Sequence, residues 1–198
     1  MNGFAVLDLE TTGLSADNDR IIEIGVLMLD PAGQEERYIG SLVNPFMTIP
    51  YAATAVNNIT NEMVSSQPHF AKFAKGLARV LDGKVVVGHN VAGFDLRFMR
   101  AEFARAGVVW EPTAVIDTLR IARKLYPSIP SRKLDALCKL AGITNIAQHR
   151  AEGDVRATWE LLCALHAADI HNVAGLGTLQ LPPAKHTFPP HLTPSPKR

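Results

Sequence analysis

The stretch Phe4-Ala5-Val6-Leu7-Asp8-Leu9-Glu10-Thr11-Thr12-Gly13 constrains this chain more than any other. It starts as an apolar run of the kind a buried strand uses, then turns to acid, apolar, acid and a glycine turn. Side chains alternate faces along a strand, so Asp8 and Glu10 share one. Two carboxylates together at the end of a core strand repel each other and are costly to desolvate. They persist only if solvated, protonated or bridged by a cation. Taken alone, Asp-x-Glu is more often a strand running out into a solvated turn. A hard divalent ion such as magnesium does take oxygen ligands of this kind, so matching acids elsewhere decide the matter.

The chain has 198 residues, 47% of them hydrophobic, which suits one domain with a full core plus an extension. Residues 1–172 read as that domain and 173–198 as a proline-rich mobile C-terminal tail. Six of the 13 prolines fall between Pro182 and Pro196, in a segment with almost no apolar periodicity. No apolar run reaches the length of a membrane span, and no basic-then-apolar leader opens the chain. Cys138 and Cys163 lie in apolar helical patterns without metal-like spacing, so they read as buried free thiols and the protein as cytoplasmic. A formal net charge of +1 means that any nucleic-acid binding must be local.

Ile21 to Leu29 reads as a second strand, apolar except for Glu23, and Arg37 to Val43 as a third, giving an antiparallel meander. Asn44 to Pro50 is a loop, and Thr60 opens a short helix as its N-cap. Apolar spacing predicts a helix over His69 to Leu81, closed at Gly83. Lys84 to Asn90 has the β-branched character of a central strand, and a helix through Phe98, Met99 and Phe103 follows. Val115 to Thr118 forms a brief fifth strand, with further helices at 119–125, at 134–140 and from about Gly153 to Ala168. The fold class is α/β, a mixed five-stranded sheet flanked by helices.

Two further acidic clusters emerge. Asp95 closes Gly88-His89-Asn90-Val91-Ala92-Gly93-Phe94-Asp95 at the head of a helix, where a simple capping role competes with a functional one. Asp154 ends His149-Arg150-Ala151-Glu152-Gly153-Asp154, and alone it would be an ordinary first-turn acid. In this order the three motifs resemble the Asp-Glu-Asp-Asp-His class of 3′→5′ exonucleases, in particular the epsilon proofreading subunits of bacterial replicative DNA polymerase. Val43-Asn44-Pro45, Ile59-Thr60-Asn61-Glu62-Met63 and Asp117-Thr118-Leu119 resemble connecting segments of that family, and the likeness spans roughly residues 4 to 168. One departure is visible: Asn57-Asn58 stand where the family has His-Gly, near the terminal nucleotide. The resemblance implies a ribonuclease H-like fold with the site at its strand ends.

Phosphodiester hydrolysis needs charge neutralisation, an activated water and a stabilised leaving oxygen. Two divalent cations, Mg2+ or Mn2+, about 3.5–4 Å apart supply all three. The expected metal ligands are Asp8 as the bridge, Glu10 and Asp154 at one ion and Asp95 at the other, with His149 as general base. The resemblance adds Thr11, Asn90 and Phe94 as contacts to the terminal nucleotide, with Asn57 beside them; Phe94 as plain core is the competing reading. Arg120, Arg123, Lys124, Arg132, Lys133 and Lys139 cluster in sequence, either as a solvated face or as a rim along a phosphate backbone. The expected activity is metal-dependent release of nucleoside 5′-monophosphates from single-stranded DNA ends, and the resemblance implies proofreading as its role. One alternative is an exoribonuclease of the same fold; another is an inactive exonuclease-fold adaptor that binds a polymerase. The tail is the expected contact for a DNA polymerase or sliding clamp, and Gln180-Leu181 matches the start of a clamp-binding peptide before Pro182-Pro183 break the pattern.

Overall fold

The structure is a computed structural model and describes residues 2–145, 150–172, 174–192 and 194. Strands β1 (Phe4–Thr11), β2 (Ile21–Leu29), β3 (Glu35–Leu42), β4 (Val85–Gly88) and β5 (Ala114–Asp117) form one sheet in the order β3-β2-β1-β4-β5. The first three make the antiparallel meander that their sequence predicts. β4 and β5 run parallel to β1, each reached through helical connections, as parallel neighbours require. The helices are α1 (Tyr51–Asn57), α2 (Asn61–Ser65), α3 (Ala74–Leu81), α4 (Asp95–Arg105), α5 (Thr118–Leu125), α6 (Leu134–Ala141) and α7 (Ala151–Ala168).

Strand alternation divides the core. Phe4 and Val6 of β1, with Leu27, Leu29, Val85 and Val87, face α5, α6 and α7. Ala5, Leu7 and Leu9, with Ile24, Val26 and Val86, face α3 and α4. Asp8 and Glu10 therefore continue the α7 face of β1 past the point where β4 pairs with it, at Val6.

Helix boundaries follow local chemistry. Thr60 caps α2 by accepting a hydrogen bond from the Met63 amide, and Gly142 ends α6 with φ +76°. The helix expected from His69 is broken: Phe70–Lys72 form a 3-10 turn before α3 starts. In the tighter turn residues three apart eclipse, and the Phe70 and Phe73 rings meet at 5.2 Å. α1 carries no periodic apolar face, with Tyr51 and Val56 exposed, and hydrophobic spacing alone does not reveal it.

The tail departs most from expectation. Instead of a mobile, unpacked extension, its described residues lie against the domain. Leu176 and Phe188 are buried, the Phe188 ring packs on Tyr126 at 4.6 Å, and Leu179, Leu181 and Leu192 cover the same core. The Asp169 carboxylate accepts the amides of Ala174 and Leu176, and His186 lies 3.2 Å from Glu160. Prolines preset the extended backbone and lower the entropy that ordering costs, so isolated apolar side chains can dock without any period. Leu181, half of the clamp-peptide match, is thereby engaged within its own chain. Phe188→Ala is expected to cost about 3 kcal/mol, the lower value for deleting a buried ring. The thermal midpoint should then fall by roughly 6–12 °C in scanning calorimetry. An unchanged midpoint would show that the segment adds nothing to the core.

Candidate active site

The site begins where β1 outruns its parallel neighbour. The C-terminal ends of parallel strands, with loops leading into helix N-termini, are where such sheets collect functional groups. β1 delivers Asp8 and Glu10 there, β4 leads through a loop to Asp95 at the start of α4, and α7 adds Asp154 from its first turn. Ligand atoms of Asp8, Glu10 and Asp154 all lie within 4.8 Å of one another. Asp95 is 4% exposed and its charge presses on Asp8. Among the described residues, then, the four expected acids meet at one place; His149 lies outside the described residues.

Electrostatics show what such convergence costs. Burial pushes the Asp8 carboxyl well above the usual carboxylate range, and Asp95, Asp154, Glu10 and Glu23 raise it further. Burial also lifts Glu10 to about 8, with Asp154 and Glu23 adding to the rise. Asp95 is likewise raised to about 8 by burial, although the amides of Asp95 itself and Leu9 donate to it and oppose the rise. Acids this crowded retain protons near neutrality unless cations join them.

The supporting loops are built around two further aspartates. Asp19 accepts the Thr12 hydroxyl and the Ser15 amide, and a Cβ at Gly13 would lie 2.5 Å from its carboxylate, so a larger residue there would have to displace this anchor. Thr11, expected at the nucleotide, donates its hydroxyl to the Gly13 carbonyl at 2.6 Å. Asp117, at the end of β5, accepts the amides of Asn90, Ala92, Leu119 and Arg120. It thus fixes the β4–α4 loop and caps α5 in one stroke. Asn90 is exposed in this loop with φ +63°, and partly buried Phe94 packs on Phe98 with ring centres 5.0 Å apart. His89 is held structurally, with Nε2 donating to the Arg132 carbonyl at 2.9 Å and Nδ1 2.8 Å from the Thr118 hydroxyl.

Asn57, expected near the terminal nucleotide, is buried beside Glu10, and its Oδ1 accepts the Ile59 amide. Asn145 donates to Asp154. Sequence reasoning gave neither Glu23 nor Asn145 a role, yet Glu23 carried a signal: a lone acid in an otherwise apolar strand must find a partner. From the basic cluster, Arg123, Arg132 and Lys133 line a cleft of about 470 Å³ together with His89 and Asn90.

The sequence profile described as Exonuclease matches residues 5–162. The chain belongs to the exonuclease family. With that membership goes the enzyme class, 3′→5′ exonuclease. Over 166 residues it is 36% identical to the DNA polymerase III subunit epsilon of Treponema pallidum, covering 83% of this chain and 76% of that one. It is 34% identical over 162 residues to the 3′-5′ exonuclease DinG of Staphylococcus saprophyticus, covering 80% of this chain but 17% of that protein. For the PolC-type DNA polymerase III of Clostridium perfringens the identity is 36% over 159 residues, 80% of this chain and 11% of the polymerase. The exonuclease therefore spans most of the first relative and a small part of the other two. Its fold is that of E. coli exonuclease I, whose zinc-bound complex with single-stranded DNA superposes with a TM-score of 0.78 at 22% identity. That match covers 88% of this chain and 42% of exonuclease I. Among the described residues no helix is long and apolar enough to cross a membrane. Cys138 and Cys163 are free and buried, and burial raises both thiols, to about 12 and about 11.

The raised carboxyls of this exonuclease have a measurable consequence. The folded protein retains protons on Glu10 and Asp95 up to about 8, whereas the unfolded chain releases them near 4.5 and 3.8. Stability without metal should therefore fall as pH rises through that window. In EDTA the thermal midpoint is expected to be lower at about pH 8 than at about pH 5.5. Saturating Mg2+ or Mn2+ at about pH 8 should restore about 2.7 kcal/mol at a hundredfold excess over Kd, or roughly 5–10 °C. Equal midpoints at both pH values in EDTA would contradict the carboxyl assignment.

Proposed function

We propose that this chain removes nucleotides one at a time from the 3′ end of single-stranded DNA, releasing nucleoside 5′-monophosphates, with two divalent cations, Mg2+ or Mn2+. The observation that carries the reading is the convergence of Asp8, Glu10 and Asp154 within 4.8 Å at the end of β1. The donor set fits hard cations: every candidate ligand is a carboxylate oxygen, and the crowded acids need positive charge to ionise together. Asp8 would bridge the two cations, Glu10 and Asp154 would complete one, and Asp95 would hold the other. Bound there, the cations would neutralise the scissile phosphate and activate a water.

The remaining work falls to the chain. His149 accepts the proton of the attacking water. Thr11, Asn90 and Phe94 receive the terminal nucleotide, Phe94 by stacking. Arg123 and Lys133, beside Asn90, supply positive charge for the phosphate backbone that leads away from it. Kinship with polymerase III epsilon supports DNA as the substrate and proofreading beside a DNA polymerase as the cellular role.

The test is digestion of 5′-labelled single-stranded DNA and RNA of equal sequence, with Mg2+, with Mn2+ and with EDTA. A metal-dependent ladder shortening from the 3′ end of DNA is expected. Preferential digestion of RNA would replace the substrate by RNA. No metal-dependent digestion of either would remove the activity. For the proofreading role, a mismatched primer terminus should be excised faster than a paired one.

A further inference from the structure

We propose that Glu23 and Arg150 form a positioning clamp that seats the first turn of α7, and with it the Asp154 carboxylate, against Asp8 and Glu10. The proposal rests on the metal-site reading above and adds two residues that would touch neither cation nor substrate.

Glu23 is the one charged residue of β2 and is 6% exposed. It stands opposite Glu10 in the strand register, and Gly25 stands opposite Asp8. A fifth acid here raises both neighbours, so its presence needs a structural return. Its oxygens show one. Arg150 donates from Nη2 to Oε1 at 2.8 Å and from Nε to both oxygens at 3.2 Å. The Ala151 amide donates to Oε2 at 3.2 Å. That amide belongs to the first residue of α7 and has no partner within the helix, and the N-cap residue Arg150 provides no side-chain cap. Glu23 therefore caps α7 from the neighbouring sheet.

Gly25 completes the seat. A Cβ there would lie 2.7 Å from the Ala151 Cβ and 3.0 Å from its carbonyl, so the helix start rests directly on the β2 backbone. Asp154 follows Ala151 by three residues, on the same side of the helix, and points back to the acids of β1. Both Glu23 oxygens are engaged by Arg150 and Ala151, and Glu23 is not in the group within 4.8 Å. This geometry makes it a positioning residue and not a ligand.

The experiment measures Mn2+ affinity of the full chain by electron paramagnetic resonance without nucleic acid, then kcat and KM on a single-stranded oligonucleotide. A purely electrostatic role predicts opposite signs. Glu23→Ala removes an anion and should loosen Mn2+, whereas Arg150→Met removes a cation and should tighten it. The clamp predicts that both loosen it, by about 10–100-fold as for other groups that orient metal ligands. It also predicts that kcat falls while KM changes little, that Arg150→Lys retains part of the affinity, and that the double variant is no worse than either single one. Midpoints in EDTA check folding; should Glu23→Ala fail to fold, Arg150→Met, altered at a half-exposed side chain, decides by its sign. Tighter Mn2+ binding by Arg150→Met, or unchanged affinity in both single variants, overturns the clamp. Failure of the exonuclease reading would instead show as wild-type protein that binds Mn2+ but cleaves nothing.

Discussion

Asp8→Ala is expected to abolish cleavage, leaving a rate at saturating Mg2+ at least about 10³-fold below wild type. That factor corresponds to about 4 kcal/mol of transition-state stabilisation, within what a two-cation site supplies. Among the described residues no other carboxylate is placed to substitute: Glu10 and Asp154 flank Asp8, Asp95 approaches from α4, and the Glu23 oxygens are engaged by Arg150 and Ala151. The fold should survive and gain in stability without metal, since burial and four neighbouring acids oppose the ionisation of Asp8. Single-turnover rates, circular dichroism and the midpoint in EDTA test these points. A variant keeping more than a tenth of the wild-type rate would contradict the bridging role.

His149→Ala comes next in size. General-base catalysis contributes roughly 10²–10⁴-fold, so turnover should fall by that factor. Mn2+ affinity should stay within a few-fold of wild type, because His149 is not among the proposed ligands. Wild-type rates should rise with pH as the histidine base loses its proton, and the variant should lose that rise. An unchanged pH profile would assign the base elsewhere.

The acids were legible because their chemistry conflicts with their surroundings. Asp8 and Glu10 interrupt a core strand, and such a conflict requires a reason that local propensity cannot give. Asp95 and Asp154 were legible only as a set, because each alone is an ordinary first-turn acid. The sheet could be read for a similar reason, since its strands are apolar runs punctuated by glycine and proline. What sequence reasoning missed shares one property, namely partners set by tertiary contact. Asn145 donates to Asp154, and Glu23 reaches α7 from the strand beside β1. Phe188 lodges on Tyr126 from a segment without periodicity. None of these pairings leaves a trace in spacing.

The order in which the chain supplies the acids carries a consequence for the life of the molecule. Asp8 and Glu10 lie in β1, which pairs with its sequence neighbour β2 in a hairpin that forms from local contacts. Asp154 lies in α7, the last helix of the sheet domain, and its approach to β1 is among the longest loop closures in the fold. A nascent chain would therefore hold half of the proposed cation ligands early and lack the rest. On the proposed site, nuclease capability would arrive only when α7 docks, so that folding would act as a safety catch on a degradative enzyme.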